Sequence, residues 1–113
     1  MAPPTTMRRL VLAEPSPAGA DPTSAKLLVE EVPVPMPKSG EVLVKMAAAP
    51  VNPSDYGVWR NTAASKCPVP IGNEGSGVVV ATGGGLSSML WASVGTKVGV
   101  TNIGKGQGSF SEY

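Results

Sequence analysis

Histidine is absent from all 113 residues, and Cys67 is the only cysteine. The first absence excludes catalytic triads, imidazole acid–base chemistry and most zinc sites. The second excludes an internal disulfide and fits a reducing compartment such as the cytoplasm. Aromatic residues make up only 4% of the chain, and the net charge is +1, with Arg8 and Arg9 the only adjacent cations. Nucleic-acid binding needs a basic stripe or a stacking platform, and neither is here. No apolar run approaches the ~20 residues of a membrane-spanning helix. The head "MAPPTTMRRLVLAEP" lacks the apolar core of a secretory signal. Its arginines and hydroxyls could belong to the remnant of an organelle import signal, but Met7–Ala13 reads better as a first strand.

What the chain has in excess is punctuation: 14 glycines and 12 prolines. Long helices do not survive so many breakers. Hydrophobic residues nevertheless reach 42%, enough for one core. The expectation is a mainly β domain with one or two short helices. Residues 1–6 read as a flexible tail and 7–113 as the domain. Strands are expected at Met7–Ala13, Lys26–Pro35, Glu41–Met46, Gly75–Thr82 and Thr96–Thr101, with a further one beginning in "SFSEY" and cut off at Tyr113. The prolines confine the second of these to a sheet edge. In the third, Val42, Val44 and Met46 share one face and Glu41, Leu43 and Lys45 the other. A short helix follows "NPSD", where Asn52 or Ser54 can cap, Pro53 suits the first turn and Asp55 meets the positive end of the dipole. Leu86–Trp91 forms at most one loose turn.

Several motifs fall short. "GVTNIGKG" (Gly99–Gly106) resembles a phosphate loop but ends in Gly106 where a hydroxyl should bind Mg²⁺, and no helix follows. Neither "GKGQG" nor "GNEGSG" has the spacing of a dinucleotide fingerprint. Asp55 and Glu74 read as a helix cap and a charge-assisted hydrogen bond rather than a catalytic pair. Cys67 has no histidine partner and reads as a bystander. Trp59 reads as a packing residue.

In order along the chain stand "VEEVPVPMPKSGEVLVKMAAAPVNPSDY", "VPIGNEGSGVVVATGGG", "GTKVGV" and "GSFSEY". Together they resemble the N-terminal, GroES-like catalytic domain of the medium-chain dehydrogenase/reductase superfamily, over roughly Met7–Tyr113. The resemblance implies a twisted β-barrel, incomplete here, ahead of a Rossmann domain that would bind most of the cofactor. Where the zinc alcohol dehydrogenases carry a Cys and a His as metal ligands, this sequence has Asn52 and Asn73. An amide binds zinc poorly. The similarity is therefore to the zinc-independent quinone and enoyl reductases, with no metal site.

That similarity implies NADPH as cofactor and hydride transfer to an enone, an enoyl thioester or a quinone. It places Asn52 near the nicotinamide and ribose, as both a catalytic and a cofactor-binding residue. Many relatives have a Tyr eleven residues further on; here that position is Ala63. Tyr56, four residues after Asn52, is the remaining candidate proton or oxyanion donor. The resemblance also implies a homodimer for the full-length form and no turnover by these 113 residues alone. Its zinc-independent members include cytoplasmic and mitochondrial enzymes. The alternative is a non-enzymatic GroES-like module, of co-chaperonin type or an assembly fragment acting through Ser109–Tyr113.

Overall fold

The structure, a computed structural model, describes residues 2–101 and 106–113, and of residues 87 and 88 the backbone only. β1 (Thr6–Glu14) and β2 (Lys26–Pro33) form an antiparallel pair in register from Thr6 opposite Pro33 to Leu12 opposite Leu27. Their connection carries a single 3-10 turn at Pro22–Ser24, started by Asp21, whose carboxylate accepts from the Thr23 N–H at 2.8 Å. The expected domain boundary between residues 6 and 7 falls inside β1, and the Thr5 carbonyl accepts from the Val34 N–H. Met7, Val11 and Leu12 turn their side chains into the core. The other edge of β1 pairs with the two-residue β4 (Val69–Pro70) at Leu12 and Val11. β2, rich in proline at its end, is an edge strand.

The second sheet has the order β3-β5-β6, from β3 (Val42–Ala48), β5 (Gly75–Thr82) and β6 (Lys97–Val100), all antiparallel. β5 has the bounds its composition suggests. Gly77 lets β3 and β5 approach, since a Cβ there would overlap the Lys45 carbonyl. Two register shifts, at Leu43/Val44 and Met46/Ala48, bend this pair. α1 (Pro53–Asn61) and α2 (Leu86–Trp91) complete the elements. β3 is apolar except for the exposed Lys45. Leu43 is buried with Met7 and Val34 in one core cluster, while Val42, Val44 and Met46 line a cavity. A second cluster holds Leu12, Trp59 and Ile71.

The two sheets are not closed into one barrel by a continuous ladder. The closing residues do not form the strand that "SFSEY" suggests; they make a single bridge, Ser111 with Arg9. The reason lies in how this backbone divides its hydrogen bonds. Leu10 N–H donates to the Phe110 carbonyl and Glu112 N–H to the Arg8 carbonyl, but the Glu112 carbonyl accepts from Met46 N–H of the other sheet. The segment thus bridges the two sheets with single bonds to each, and the ladder on neither is extended. Upstream, Ser109 and Phe110 N–H donate to Gly72 and Ile71. Gly108 is required there, because a Cβ would overlap the Ile71 carbonyl.

Arg8 pins this closing segment. Its backbone N–H reaches Glu112 Oε2 at 2.8 Å, and its Nε and Nη2 reach Oε1 at 3.1 and 2.8 Å. Hydrogen bonds from the Arg8 backbone, then from its guanidinium, hold the Glu112 carboxyl below the ordinary glutamate range. A pKa depressed in the folded state gives stability that is present above the unfolded value and is lost as pH falls through the folded one. Both side chains are exposed, so the effect is modest and local. Acidification through and below the glutamate range is expected to speed hydrogen exchange at the Leu10 and Met46 amides before the β1–β2 ladder opens. Equal protection of both regions down to acid unfolding would contradict this.

Candidate active site at the head of the first helix

The site begins with a proline-framed turn. Pro53 restricts the residue before it to extended backbone, and Asn52 has φ −103° and ψ 159°. Helix α1 starts directly after it. Asp55 sits at the third helical position, where its carboxylate accepts from the Asn52 backbone N–H at 2.7 Å. The Asp55 N–H returns a bond to the Asn52 carbonyl at 2.9 Å. The Asp55 side chain is buried, so the cap is built into the fold. The helix start thus uses the Asn52 backbone and the oxygen of its side chain, and leaves the amide nitrogen for another partner.

That partner is Glu74. Asn52 Nδ2 donates to Glu74 Oε2 at 2.8 Å, joining the head of α1 to the residue just before β5. The Oδ1 of Asn52 faces the Asp55 backbone N–H, closing the reciprocal capping box, and the second Nδ2 hydrogen has no partner among the described residues. Asn73, the other asparagine at a ligand position, is exposed. Among the described residues no three His, Cys, Asp or Glu side chains converge.

Tyr56 stands one turn along α1 from Asn52, on the same side of the helix by its i, i+4 spacing. Its ring meets Trp59 edge-on at 5.1 Å between centroids, with an interplanar angle of 89°. Trp59 is buried and Tyr56 is 39% exposed, so the pair anchors the tyrosine by one edge and leaves the rest in solvent. The Tyr56 hydroxyl has no partner among the described residues. Ala63 is exposed at the start of a 3-10 turn, and its methyl offers no donor. Cys67 is partly buried against the second core cluster, with Sγ 3.8 Å from the Ala63 carbonyl. Residues 102–105, shared between the phosphate-loop-like stretch and the start of "GKGQG", lie outside the described residues.

Beside the Asn52–Glu74 pair runs an open trough of about 690 Å³, walled by Ala48, Ala49, Pro50, Glu74, Gly75 and Ser76, with Gly99, Val100 and Thr101 opposite. Ala48, the last residue of β3, and Ala49 give one wall. The contribution of Gly99–Thr101 was not legible in the sequence, because it follows only from the pairing of β6 with β5, Gly75 opposite Val100. A more enclosed cavity of about 290 Å³ lies between β3, Pro35–Pro37 and the closing segment; neither Asn52 nor Tyr56 lines it. Asn52 and Tyr56 do not line the trough either, but Glu74, which holds the Asn52 amide, does, and that makes the trough the better candidate.

Such a domain, two open three-stranded sheets with a capped helix over a small-residue trough, is of the GroES-like class. The family model of the alcohol dehydrogenase GroES-like domain matches residues 38–113. The chain belongs to that family, the GroES-like domain of the medium-chain dehydrogenase/reductases. It is 38% identical over 112 residues to prostaglandin reductase-3 of Mus musculus, covering 97% of this chain and 27% of that protein. It is 46% identical over 65 residues to the mitochondrial enoyl-[acyl-carrier-protein] reductase of Xenopus tropicalis, covering 56% of this chain and 19% of that one. In fold it resembles the quinone oxidoreductase of Coxiella burnetii, with a TM-score of 0.71 at 23% identity over 95% of this chain and 33% of the other. The chain therefore spans about a quarter or less of the length of these two curated relatives.

Proposed function

We propose that this chain is the catalytic β domain of a zinc-independent, NADPH-dependent reductase of enones, enoyl thioesters or quinones. The observation that carries the reading is Asn52: an amide held at both ends, its nitrogen by Glu74 and its oxygen by the Asp55 N–H, with one N–H unpartnered among the described residues, at a position where a metal-dependent relative would need a ligand.

The residues fit one end of such a cofactor. The trough is walled by small neutral residues and one carboxylate, with no lysine or arginine among them. It suits the neutral nicotinamide and ribose, and it offers nothing to phosphates. When bound, the dinucleotide supplies hydride. The work of this chain is then positioning and electrostatics. The free N–H of Asn52 can donate to a carbonyl oxygen as negative charge builds on it, and Oδ1 can accept from a ribose hydroxyl. Pro53 and Glu74 hold the amide so that little reorganisation is needed. Tyr56 holds a proton at its hydroxyl one turn away, available to the same oxygen.

The test is NADPH oxidation by the full-length gene product with enones, enoyl thioesters and quinones, with and without a chelator. Turnover on at least one class, unaffected by the chelator, is expected. No turnover on any of them, or loss of activity with metal removal, would reject the reading. With Tyr56→Phe, kcat should fall by about 10²-fold at nearly unchanged KM. A change in KM alone would make the tyrosine a binding residue.

A further inference from the structure

Glu74 is the only charged side chain on the walls of the trough; its neighbours there are alanines, glycines and small neutral residues. It has no ion-pair partner among the described residues. Its Oε2 accepts from Asn52 Nδ2 at 2.8 Å, and its Oε1 has no partner among the described residues. The charge is also held in place. The amide that binds it belongs to a residue 22 positions away, and that amide is fixed in turn by the reciprocal cap with the buried Asp55. A carboxylate on an open surface turns freely in solvent. This one is tied to the wall of a concave site, and a fixed charge acts there without reorganisation.

What such a charge does follows from the hydride transfer proposed above, on which this inference rests. One hydrogen and two electrons leave the reduced nicotinamide for the acceptor. The ring passes from neutral to singly positive, and the acceptor carries the negative charge until its oxygen takes a proton. Asn52 serves the acceptor through its free N–H and does not line the trough. Glu74 does line it, where the ring fits, so the ring's charge is the one that develops beside the carboxylate. A negative charge there favours the positive form of the ring over the neutral one.

We infer that Glu74 sets the balance between the two redox states of the bound cofactor: its carboxylate, anchored by Asn52, stabilises the oxidised, cationic nicotinamide over the reduced, neutral one. The trough is open to solvent, so the effect has the size of a charge pair in water. Opposite unit charges about 4 Å apart in such surroundings change a binding constant about fivefold.

The test compares the Kd of NADP⁺ with that of NADPH for the full-length gene product, by titration calorimetry at low salt. Phosphates, adenine and riboses are common to the two forms, so their contributions cancel in the ratio and the ring charge remains. Glu74→Gln keeps an acceptor for the Asn52 amide and removes only the charge. It should raise the Kd of NADP⁺ about fivefold and leave that of NADPH within twofold, which also reports an intact fold. Glu74→Asp retains the charge and should keep the ratio within twofold of the parent. Added salt should shrink the difference between parent and Glu74→Gln. Equal changes in both constants, or none in either, would make Glu74 a mere wall of the trough and overturn the inference alone. So would a ratio that Glu74→Asp alters as much as Glu74→Gln does. If the parent binds neither form, the reductase reading falls and this inference with it.

Discussion

Asn52→Ala in the full-length protein is expected to lower kcat/KM for the unsaturated acceptor by about 10²–10³-fold, the usual cost of one preorganised donor to a developing oxyanion. Stability should fall by about 0.5–2 kcal/mol, since the exposed bond to Glu74 and the side-chain half of the capping box are lost together. The Asp55 carboxylate still holds the Asn52 backbone N–H and keeps the helix start. Asn52→Asp sharpens the test. It is nearly isosteric, but it faces the Glu74 carboxylate at the site of a 2.8 Å contact, and two carboxylates at that distance repel. Its activity should be low and fall further as pH rises and both ionise. Glu74→Gln keeps an acceptor for the Asn52 amide and should retain most activity. Steady-state kinetics decide: a kcat/KM for the alanine variant within threefold of the parent would remove Asn52 from the reacting atoms.

Trp59→Ala should be the most damaging single change to the fold, costing about 3–5 kcal/mol. The side chain is 8% exposed and packs with Leu12 and Ile71, with Val58, Phe110 and Leu27 around them. A domain of this size has a total stability of about 5–15 kcal/mol, so most of the margin is lost. Trp59→Phe is different. The indole Nε1 is buried without a hydrogen-bond partner, and an unsatisfied buried donor costs about 1–3 kcal/mol. Phenylalanine removes that donor while keeping a ring against Tyr56, so its net effect should be within about 1.5 kcal/mol. Urea unfolding of the two variants gives the comparison. Equal losses would mean that ring packing contributes little, and that the account of this cluster is wrong.

Local chemistry was legible wherever neighbouring residues alone set it. Asn52-Pro53-Ser54-Asp55 announces a helix start because proline fixes its own φ and restrains its neighbour's backbone, and α1 begins there. Gly75–Thr82 reads as a strand because branched apolar residues stand between glycine breaks, and β5 has those bounds. The readings of Asp55 as a cap and Trp59 as a packing residue held for the same reason. The "SFSEY" segment misled because its residues favour extended backbone, yet its bonds go to two different sheets. The pairing of Arg8 with Glu112 was equally hidden, since 104 residues separate them.

By itself, then, the sequence determined the mainly β class, the start of α1, the lack of histidine for a metal site and the small-residue run in which β3 ends. These depend on composition, on proline and glycine sterics, and on contacts within a few residues. Tertiary structure alone decided that Glu74 takes the Asn52 amide nitrogen, that Gly99–Thr101 forms the far wall of the trough, and that α2 remains uncovered. Each of those depends on strand register and on which distant segments the fold brings together, and no local preference encodes them.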